Sequence, residues 1–483
     1  MKAGELTRNS SVRFGTSGLR GLVADLSDAV CFAYTEAFLR TVECEPGSRV
    51  ALGMDLRPSS PAILVACAAA IRARESRVDF CGSLPTPALA CYSAQKRIPA
   101  IMATGSHIPF DRNGIKFYRA GGEISKADEA RIGETEIAFP GTIAPEGLGA
   151  PNAEAAEIYL DRYLSFFPAA PLLGMRIGFY QHSSAARDLF TRILEGLGAE
   201  VTPLGRSDEF VPIDTEAVSP EDDARAKIWA RDHGFDALIS TDGDADRPLL
   251  SDEHGNWLRG DVLGVLCASF LEADAVVTTI NCNTMLEKCR RFPLARRTRI
   301  GSPHVIEGIE AFRNEGCRRV VGFEPNGGFL LGSNIERDGR SLAALPTRDA
   351  ALPILCVLAA AKVSGAGISK LLETLPARFT ASGRLSECPV EKSESFLASL
   401  GAESGAIETL FGDLFGRPID RDETDGLRIV FENDEILHLR PSGNAPEFRV
   451  YAEANTRERA NAIVCAALKT VGEKILNATR AIP

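Results

Sequence analysis

The chain has 483 residues, of which 45% are apolar and 25% are charged, so it is a folded protein with more than one core. A net charge of −11 argues against a nucleic-acid partner, because a phosphate polymer would repel it. The longest apolar stretch, residues 350–363, is shorter than the roughly 20 residues that span a membrane. The twelve cysteines are scattered singly and the N-terminus is polar, which predicts reduced thiols in a cytoplasmic protein that has no membrane partner.

A succession of strand, polar turn, helix and strand occurs three times, at intervals of roughly one hundred residues, which is typical of repeated α/β domains. The copies begin with the strands Arg49–Met54, Arg176–Tyr180 and Ala275–Ile280, and the third copy closes with a strand predicted at Thr298–Ile300. The chain then changes to hairpin strands and a closing helix, Thr456–Asn477, which indicates an α+β unit.

Segments rich in glycine, proline or polar residues predict linkers at residues 139–151, 252–259 and 363–368. We therefore predict an α/β protein of four domains, three of them similar mixed α/β domains and the last an α+β domain. Their predicted boundaries are residues 1–150, 151–255, 256–367 and 368–483.

Ser106 stands in the segment ATGSHIPFDRNGIKF, directly after an apolar run that predicts a strand. The tight Gly-Ser-His sequence predicts an exposed serine beyond the strand end, and Asn113-Gly114 predicts a turn that leads to Lys116. A serine hydrolase would need the pattern G-x-S-x-G, but Thr104 and Ile108 stand where its glycines belong. The pattern therefore indicates a reactive serine of another class.

Three aspartates, Asp242, Asp244 and Asp246, follow the apolar strand ALIST. In an extended segment their carboxylates would lie on one side, and three carboxylates so close repel one another unless a cation neutralises them. Hard oxygen ligands of this kind suit Mg²⁺. An EF-hand is excluded because Arg247 occupies the loop position that needs glycine.

Two more loops carry groups that bind sugars or anions. GFEPNGG offers Glu324 and Asn326, whose side chains can accept and donate hydrogen bonds to sugar hydroxyls. RPSGNAPEFR brings Arg440 and Arg449 to a Ser-Gly-Asn turn whose amides and hydroxyl can bind a phosphate group. Taken alone, each of these loops could equally be a surface turn.

Together with FGTSGLRG near the N-terminus, these segments resemble the signatures of the α-D-phosphohexomutases, the phosphoglucomutase and phosphomannomutase superfamily, in their order and spacing. The resemblance covers nearly the whole chain and implies four domains around a central active-site cleft. It implies an enzyme that interconverts hexose 1-phosphate and hexose 6-phosphate through a phosphoserine and a hexose 1,6-bisphosphate. The implied cofactors are Mg²⁺ and, as an activator, glucose or mannose 1,6-bisphosphate; the implied assembly is a monomer or a homodimer.

The resemblance also implies a role for each motif residue. Ser106 would carry the phosphoryl group, Lys116 would act as general acid/base, and Arg20 and Arg247 would contact the transferring phosphoryl group. Asp242, Asp244 and Asp246 would hold Mg²⁺ together with an oxygen of phosphorylated Ser106. The substrate-binding residues would be Glu324 and Asn326 for the sugar, and Arg440, Ser442, Gly443, Asn444 and Arg449 for the distal phosphate.

Four positions depart from the usual family pattern: Gly105 and Ile108 beside the serine, and Asn326 and Gly328 in the sugar loop, residues 324–328, where serine and histidine are usual. The form of the sugar loop favours mannose phosphate as substrate, with glucose phosphate, or both sugars, as the alternative. Two other readings remain open: a phosphatase with an aspartate nucleophile, and a sugar-phosphate-binding protein without catalytic activity.

Overall fold

A computed structural model describes residues 1–15, 18–139, 141–143, 146–402, 405–442 and 447–477. The elements of the first segment are α1 (Ala3–Leu6), β1 (Arg13–Phe14), β2 (Leu19–Leu22), α2 (Asp28–Thr41), β3 (Arg49–Met54), α3 (Ser60–Ala73), β4 (Arg77–Ser83), α4 (Thr86–Lys96), β5 (Ala100–Ala103), β6 (Arg112–Arg119), β7 (Gly122–Glu123) and α5 (Lys126–Glu134).

The strands of this first segment form one mixed sheet in the order β1–β2–β6–β5–β3–β4, with β7 paired to β6. β3 lies between β4 and β5 and is parallel to both, whereas β5 and β6 are antiparallel. Every residue of β5 is buried, as expected of a strand with neighbours on both sides and helices on the sheet faces. α2 begins after Ser27, whose hydroxyl accepts a hydrogen bond from the Val30 amide and so caps the helix.

The second segment contains α6 (Glu154–Phe166), β8 (Arg176–Tyr180), α7 (Arg187–Gly196), β9 (Glu200–Leu204), α8 (Pro220–His233), β10 (Ala237–Thr241) and β11 (Pro248–Leu250). Its sheet has the order β11–β10–β8–β9, in which β10, β8 and β9 are parallel and β11 is antiparallel. α8 is bounded by sequence signals: Ser219 caps its start, Pro220 is its first residue, and Gly234 ends it with a left-handed φ of 60°.

The third segment contains α9 (Gly260–Phe270), β12 (Ala275–Thr279), α10 (Met285–Lys288), β13 (Leu294–Thr298), α11 (Ser302–Asn314), β14 (Val320–Phe323), β15 (Phe329–Leu331), β16 (Ile335–Arg337), β17 (Arg340–Leu342), β18 (Leu345–Asp349), α12 (Ala351–Ser364) and α13 (Ile368–Leu372). β12, β14, β15 and β18 are successive neighbours in its main sheet. α12 is apolar on all sides and ten of its fourteen residues are buried, which is typical of a helix enclosed by the core.

The last segment contains β19 (Phe379–Leu385), α14 (Val390–Ala402), α15 (Ala406–Phe415), β20 (Pro418–Asp422), β21 (Leu427–Phe431), β22 (Ile436–Pro441), β23 (Phe448–Ala454) and α16 (Arg457–Asn477). Its sheet is antiparallel throughout, in the order β19–β23–β22–β21–β20. Apolar side chains of α15 and α16, among them Phe411 and Ile463, share one core with Ile429 and Val450 of the sheet.

The chain divides into two compact units. The first comprises residues 1–277 and 301–372, and the second comprises residues 278–300 with everything from residue 373 onward. The prediction of an α/β protein with mixed sheets, followed by an α+β unit, is confirmed. In the described part of the chain, no helix has both the length and the apolar character needed to cross a membrane.

Three local expectations were wrong. Ser106 is fully buried rather than exposed. Asn113-Gly114 lies within β6 rather than in a turn, because Asn113 is buried with its side-chain amide bound to Ser60, and Leu19 of β2 leaves no room for a Cβ at Gly114. The strand predicted at Thr298–Ile300 ends at Thr298, because the Ile300 amide instead donates to Asp425 Oδ2 at 2.9 Å.

Candidate active site

The candidate site lies in the first unit, at the carboxyl ends of strands, which is where open α/β sheets bind their ligands. β5 ends three residues before Ser106, β10 ends directly before Asp242, and β14 ends directly before Glu324. Residues that are far apart in the chain therefore meet at one place, and three features form it: the serine loop (residues 104–111), the acidic triad (Asp242, Asp244 and Asp246), and the sugar loop.

Ser106 adopts a left-handed backbone conformation, with φ of 55°, at the start of the serine loop. Its Oγ donates a hydrogen bond of 2.5 Å to Asp242 Oδ2 and lies 3.2 Å from Nδ1 of His107. Its amide donates to Thr104 Oγ1 at 2.8 Å. The buried hydroxyl is thus aimed at the acidic triad, which is a stronger indication of function than exposure would have been.

Arg57 holds the serine loop in place, and the sequence interpretation gave it no role. Its guanidinium donates four hydrogen bonds to backbone carbonyls of residues 106, 108, 109 and 112, at 2.5–3.1 Å. Asp55, which binds the Thr104 hydroxyl and the Gly105 amide, lies 3.3 Å from Arg57 Nε. The only sequence signal was a charged pair in a polar turn directly after β3.

The departure at Gly105 has a physical cause. A Cβ at this position would lie 2.6 Å from Cζ and Nε of Arg57, so an alanine here would force the guanidinium to move. The guanidinium also stacks over the Phe210 ring, whose centroid is 3.9 Å from Cζ. Gly105 is therefore matched to the buried arginine that supports the loop.

We expect Arg57→Met to destabilise the protein strongly, because it leaves Asp55 without its charged partner and several buried carbonyl groups without their donor. The free energy of unfolding should fall by about 3–5 kcal/mol, the cost of removing one partner from a buried ion pair. Urea unfolding of the full chain measures it. Arg74→Met is the control, since Arg74 is half-buried beside Glu36 and should cost about 1 kcal/mol. Equal losses in the two variants would contradict this reading.

The acidic triad is buried, and ligand atoms of its three carboxylates lie within 4.8 Å of one another. The segment that carries the triad is bound by residues of two other parts of the chain. Thr86, at the start of α4, donates from its hydroxyl to Asp244 Oδ2 at 2.5 Å and from its amide to the Asp244 carbonyl at 2.9 Å. From the polar turn after β8, His182 Nε2 lies 2.9 Å from the Thr241 carbonyl oxygen.

The residues of the triad fit a hard divalent cation. Among the described residues, neither Asp244 Oδ1 nor Asp246 Oδ1 has a hydrogen-bond partner, although both atoms are buried. Buried carboxylate oxygens without a partner are costly unless a cation binds them. Burial together with the charges of Asp244 and Asp246 raises the pKa of Asp242, as expected where buried carboxylates lie close together.

Cations surround the triad. Lys116 Nζ lies 2.6 Å from one carboxylate oxygen of Asp244 and 2.6 Å from one of Asp246. Although burial opposes it, the charges of Arg348, Lys116 and Arg247 hold the pKa of Asp246 below its usual range. The Arg247 amide also donates to Asp242 Oδ1 at 3.2 Å.

Arg20 and Arg247 each have a guanidinium nitrogen that makes no hydrogen bond. In the described part of the chain, Arg20 Nη2 and Arg247 Nε are buried without a hydrogen-bond partner, and Arg247 Nε lies 3.6 Å from Asp246 Oδ1. Burial, with Arg247 and Arg348 nearby, lowers the pKa of Arg20 to about 10, so it remains charged at neutral pH. Burial and the same cations lower the pKa of His107, which keeps its ring neutral beside Ser106. The arrangement therefore favours a bound anion next to the serine.

In the sugar loop, Glu324 and Asn326 are both buried. Asn326 Oδ1 accepts a hydrogen bond from the Gly328 amide at 2.9 Å, and its carbonyl accepts one from Thr215 Oγ1 at 2.6 Å. Glu324 Oε2 lies 3.5 Å from Nη1 of Arg348, a residue absent from the sequence interpretation.

The predicted phosphate-binding residues lie in the second unit. Arg440 of β22 and Arg449 of β23 are direct cross-strand neighbours, and Arg384 of β19 is opposite Arg449 on its other side. These three side chains form an arginine row on one face of the sheet. Acidic neighbours balance the row: Arg440 Nε lies 3.2 Å from Asp425, and Arg384 Nη1 lies 3.1 Å from Glu447. Arg384 was missed because its strand carries no anion-binding motif.

Ser442, next to the arginine row, is buried, and its amide donates to the Glu447 carbonyl at 2.8 Å. Gly443 and Asn444 lie outside the described residues. Within the first unit, the structure brings together every predicted residue of the serine loop and the acidic triad, with Lys116 and Arg247. The catalytic and binding roles of all these residues stay predictions.

Comparison with known proteins identifies the family. Profiles of phosphoglucomutase/phosphomannomutase alpha/beta/alpha domains I, II and III match residues 11–137, 157–255 and 259–379, and the C-terminal domain profile matches residues 387–469. The chain is 47% identical over 476 residues to a phosphomannomutase of Salmonella muenchen, an alignment that covers 98% of both chains. The chain belongs to the phosphoglucomutase/phosphomannomutase family.

The chain is also 44% identical to a phosphomannomutase of Sinorhizobium fredii, and the alignment covers 96% of this chain and 99% of the relative. The fold agrees with a crystal structure of a phosphoglucomutase/phosphomannomutase family protein from Burkholderia thailandensis, with a TM-score of 0.72 at 19% identity. That superposition covers 95% of this chain and 96% of the other. The family predicted from the motifs, and with it an enzyme of the phosphohexomutase class, is confirmed.

Proposed function

We propose that the protein interconverts hexose 1-phosphate and hexose 6-phosphate, with mannose as the preferred sugar, through phosphorylated Ser106 and a hexose 1,6-bisphosphate. The observation that carries the proposal is the 2.5 Å hydrogen bond from Ser106 Oγ to Asp242, in a triad whose other two members each have a buried oxygen without a described hydrogen-bond partner. A phosphatase with an aspartate nucleophile would give this serine no role.

The chemistry is two phosphoryl transfers. In the first, the bond between Oγ and phosphorus breaks, a bond forms from the free sugar hydroxyl to phosphorus, and the hydroxyl proton passes to a base. In the second, a bond forms from Ser106 Oγ to the phosphorus at the other end of the bisphosphate. The bond from that phosphorus to the sugar oxygen breaks, Ser106 gives up any proton on Oγ, and the sugar oxygen receives the proton that the base holds. Such transfers depend mainly on positioning and on neutralising charge. We assign the proton transfer to Lys116, and binding of the phosphoryl oxygens to Arg20 and Arg247.

Asp242, Asp244 and Asp246, together with an oxygen of phosphorylated Ser106, would hold Mg²⁺. Bound there, Mg²⁺ would neutralise the charge that develops on the phosphoryl oxygens. The buried oxygens of Asp244 and Asp246 that lack a described hydrogen-bond partner support this assignment. Glucose or mannose 1,6-bisphosphate would act as the activator, because it can phosphorylate a serine that has lost its phosphoryl group.

We assign the sugar hydroxyls to Glu324 and Asn326. The substrate's distal phosphate is assigned to residues on or next to the arginine row, namely Arg440, Ser442, Gly443, Asn444 and Arg449. Mannose phosphate as the preferred substrate is supported by the two relatives of 44% and 47% identity, both phosphomannomutases.

The domain boundaries, the oligomeric state and the cellular compartment are also proposals. The four domains are placed at residues 1–150, 151–255, 256–367 and 368–483. The protein is proposed to be a cytoplasmic monomer or homodimer. All twelve cysteines are free thiols, which supports a reducing compartment.

The proposed function is tested by a coupled assay with mannose, glucose and glucosamine 1-phosphates, with Mg²⁺ and the matching 1,6-bisphosphate present. We expect kcat/KM to be highest for mannose 1-phosphate, by about tenfold over glucose 1-phosphate. A higher value for glucose would make the protein a phosphoglucomutase. Binding without turnover of any of the three sugars would indicate a catalytically silent binding protein, and release of inorganic phosphate would indicate a phosphatase.

A further inference from the structure

Arg348 is a buried arginine to which neither the sequence motifs nor the proposed function assigns a role. It lies in β18 and is 2% exposed. Its Nε and Nη2 lie 3.1 and 2.9 Å from Asp246 Oδ2, and its Nη1 lies 3.5 Å from Glu324 Oε2. One guanidinium group therefore contacts a carboxylate of the acidic triad and the carboxylate of the sugar loop.

The backbone that carries Arg348 is held firmly. The next residue, Asp349, is buried, and its Oδ1 accepts hydrogen bonds from the Tyr159 hydroxyl at 2.5 Å and from the Ala351 amide at 2.9 Å. Its Oδ2 accepts a hydrogen bond from the Tyr163 hydroxyl. Because both tyrosines belong to α6, the end of β18 is fixed from outside its own sheet.

Space for the Arg348 side chain comes from Gly328. A Cβ at this position would lie 2.4 Å from Cδ and 2.7 Å from Cγ of Arg348, so any larger residue would displace the arginine. The departure of this chain at Gly328 is therefore matched to a buried arginine, as the departure at Gly105 is matched to Arg57.

The chemistry of the group suits this place. A guanidinium is planar, stays charged when buried, and presents several N–H donors in a fixed fork, so it can engage two carboxylates at once. A lysine ammonium in the same place would keep the charge but could not reproduce the fork. Asp246 is 102 residues away from Arg348 in the chain, and Glu324 is 24 residues away.

We infer that Arg348 is a positioning residue that sets Glu324 for the sugar and Asp246 for the metal; the inference rests on the proposed function. Because Arg348 engages Oε2 of Glu324, we assign the other carboxylate oxygen, Oε1, to a sugar hydroxyl. Because a single guanidinium orients both carboxylates, its displacement should weaken the binding of the sugar phosphate and of Mg²⁺ together.

The first test is Arg348→Lys, measured by isothermal titration calorimetry of Mg²⁺ alone and of mannose 1-phosphate in saturating Mg²⁺. We expect Mg²⁺ affinity to fall about 10–100-fold, as when a partner that orients a metal ligand is lost, and sugar-phosphate affinity to fall by a similar factor. Arg378→Lys is the matched control, because it removes the fork from a buried arginine paired with Glu453 in the second unit. The control should lower thermal stability and leave both affinities unchanged.

If Arg348→Lys lowers thermal stability but binds both ligands like the wild type, Arg348 is only structural and the inference is overturned. The second test is Gly328→Ala, whose added Cβ meets the Arg348 side chain. It should weaken both affinities, and in an Arg348→Met background it should change them by no more than about twofold. If Gly328→Ala weakens both affinities by the same factor with and without Arg348→Met, the inference is overturned. A wild-type protein without mutase turnover would contradict the proposed function, whereas the two affinities test Arg348 separately.

Discussion

Replacing Ser106 by alanine should lower kcat by about 10⁴-fold or more, because it removes the atom that would carry the phosphoryl group. The same coupled assay with mannose 1-phosphate measures it. Intact-protein mass spectrometry after incubation with glucose 1,6-bisphosphate should show one phosphoryl adduct on the wild type and none on the variant. The binding of mannose 1-phosphate should change little, since the groups assigned to the sugar and to its phosphate are intact.

Ser93→Ala is the matched control for this experiment. Ser93 is also a buried serine of the first unit, and its hydroxyl donates to the Ile98 carbonyl at 2.6 Å, away from the acidic triad. We expect it to be phosphorylated and active like the wild type. Should Ser106→Ala keep its turnover, or should the adduct map to Asp242, the phosphoserine mechanism would be wrong.

After Ser106→Ala, we expect the largest effect from Asp244→Asn, which should weaken Mg²⁺ binding. It removes a proposed metal ligand and places an amide beside Lys116. Loss of a partner that only orients a ligand costs 10–100-fold in metal affinity, so loss of the ligand itself should cost at least about 100-fold. Calorimetric titration with Mg²⁺ gives the affinity, and the Mg²⁺ concentration for half-maximal turnover should rise by a similar factor.

Asp79→Asn is the matched control for the metal experiment. Asp79 is another buried carboxylate of the first unit, bound by the Tyr92 hydroxyl at 2.7 Å and by the Asn152 side-chain amide at 2.9 Å. Its replacement should lower stability without altering the response to Mg²⁺. Unchanged Mg²⁺ dependence in Asp244→Asn would remove the metal assignment.

Several strands could be placed from the sequence because apolar runs bounded by polar turns are local signals. Arg49–Met54 and Arg176–Tyr180 were predicted with the bounds they have in the structure. The turn predicted at Asn113-Gly114 was wrong because it, too, rested on a local signal alone. The pair is a strong local turn signal, but Arg57 binds the carbonyls of the preceding residues and so places the turn earlier in the chain.

By itself the sequence determined the family of this protein and predicted its reactive groups, because the serine loop, the acidic triad and the phosphate-binding segment are contiguous and can be recognised locally. Only the tertiary structure decided that Ser106 is buried against Asp242, that Arg57 supports the serine loop, and that Arg348 binds the acidic triad. Those contacts join residues 49–136 positions apart. A buried cation is tolerated only where the folded chain brings acceptors to it, and no local pattern records which acceptors those are.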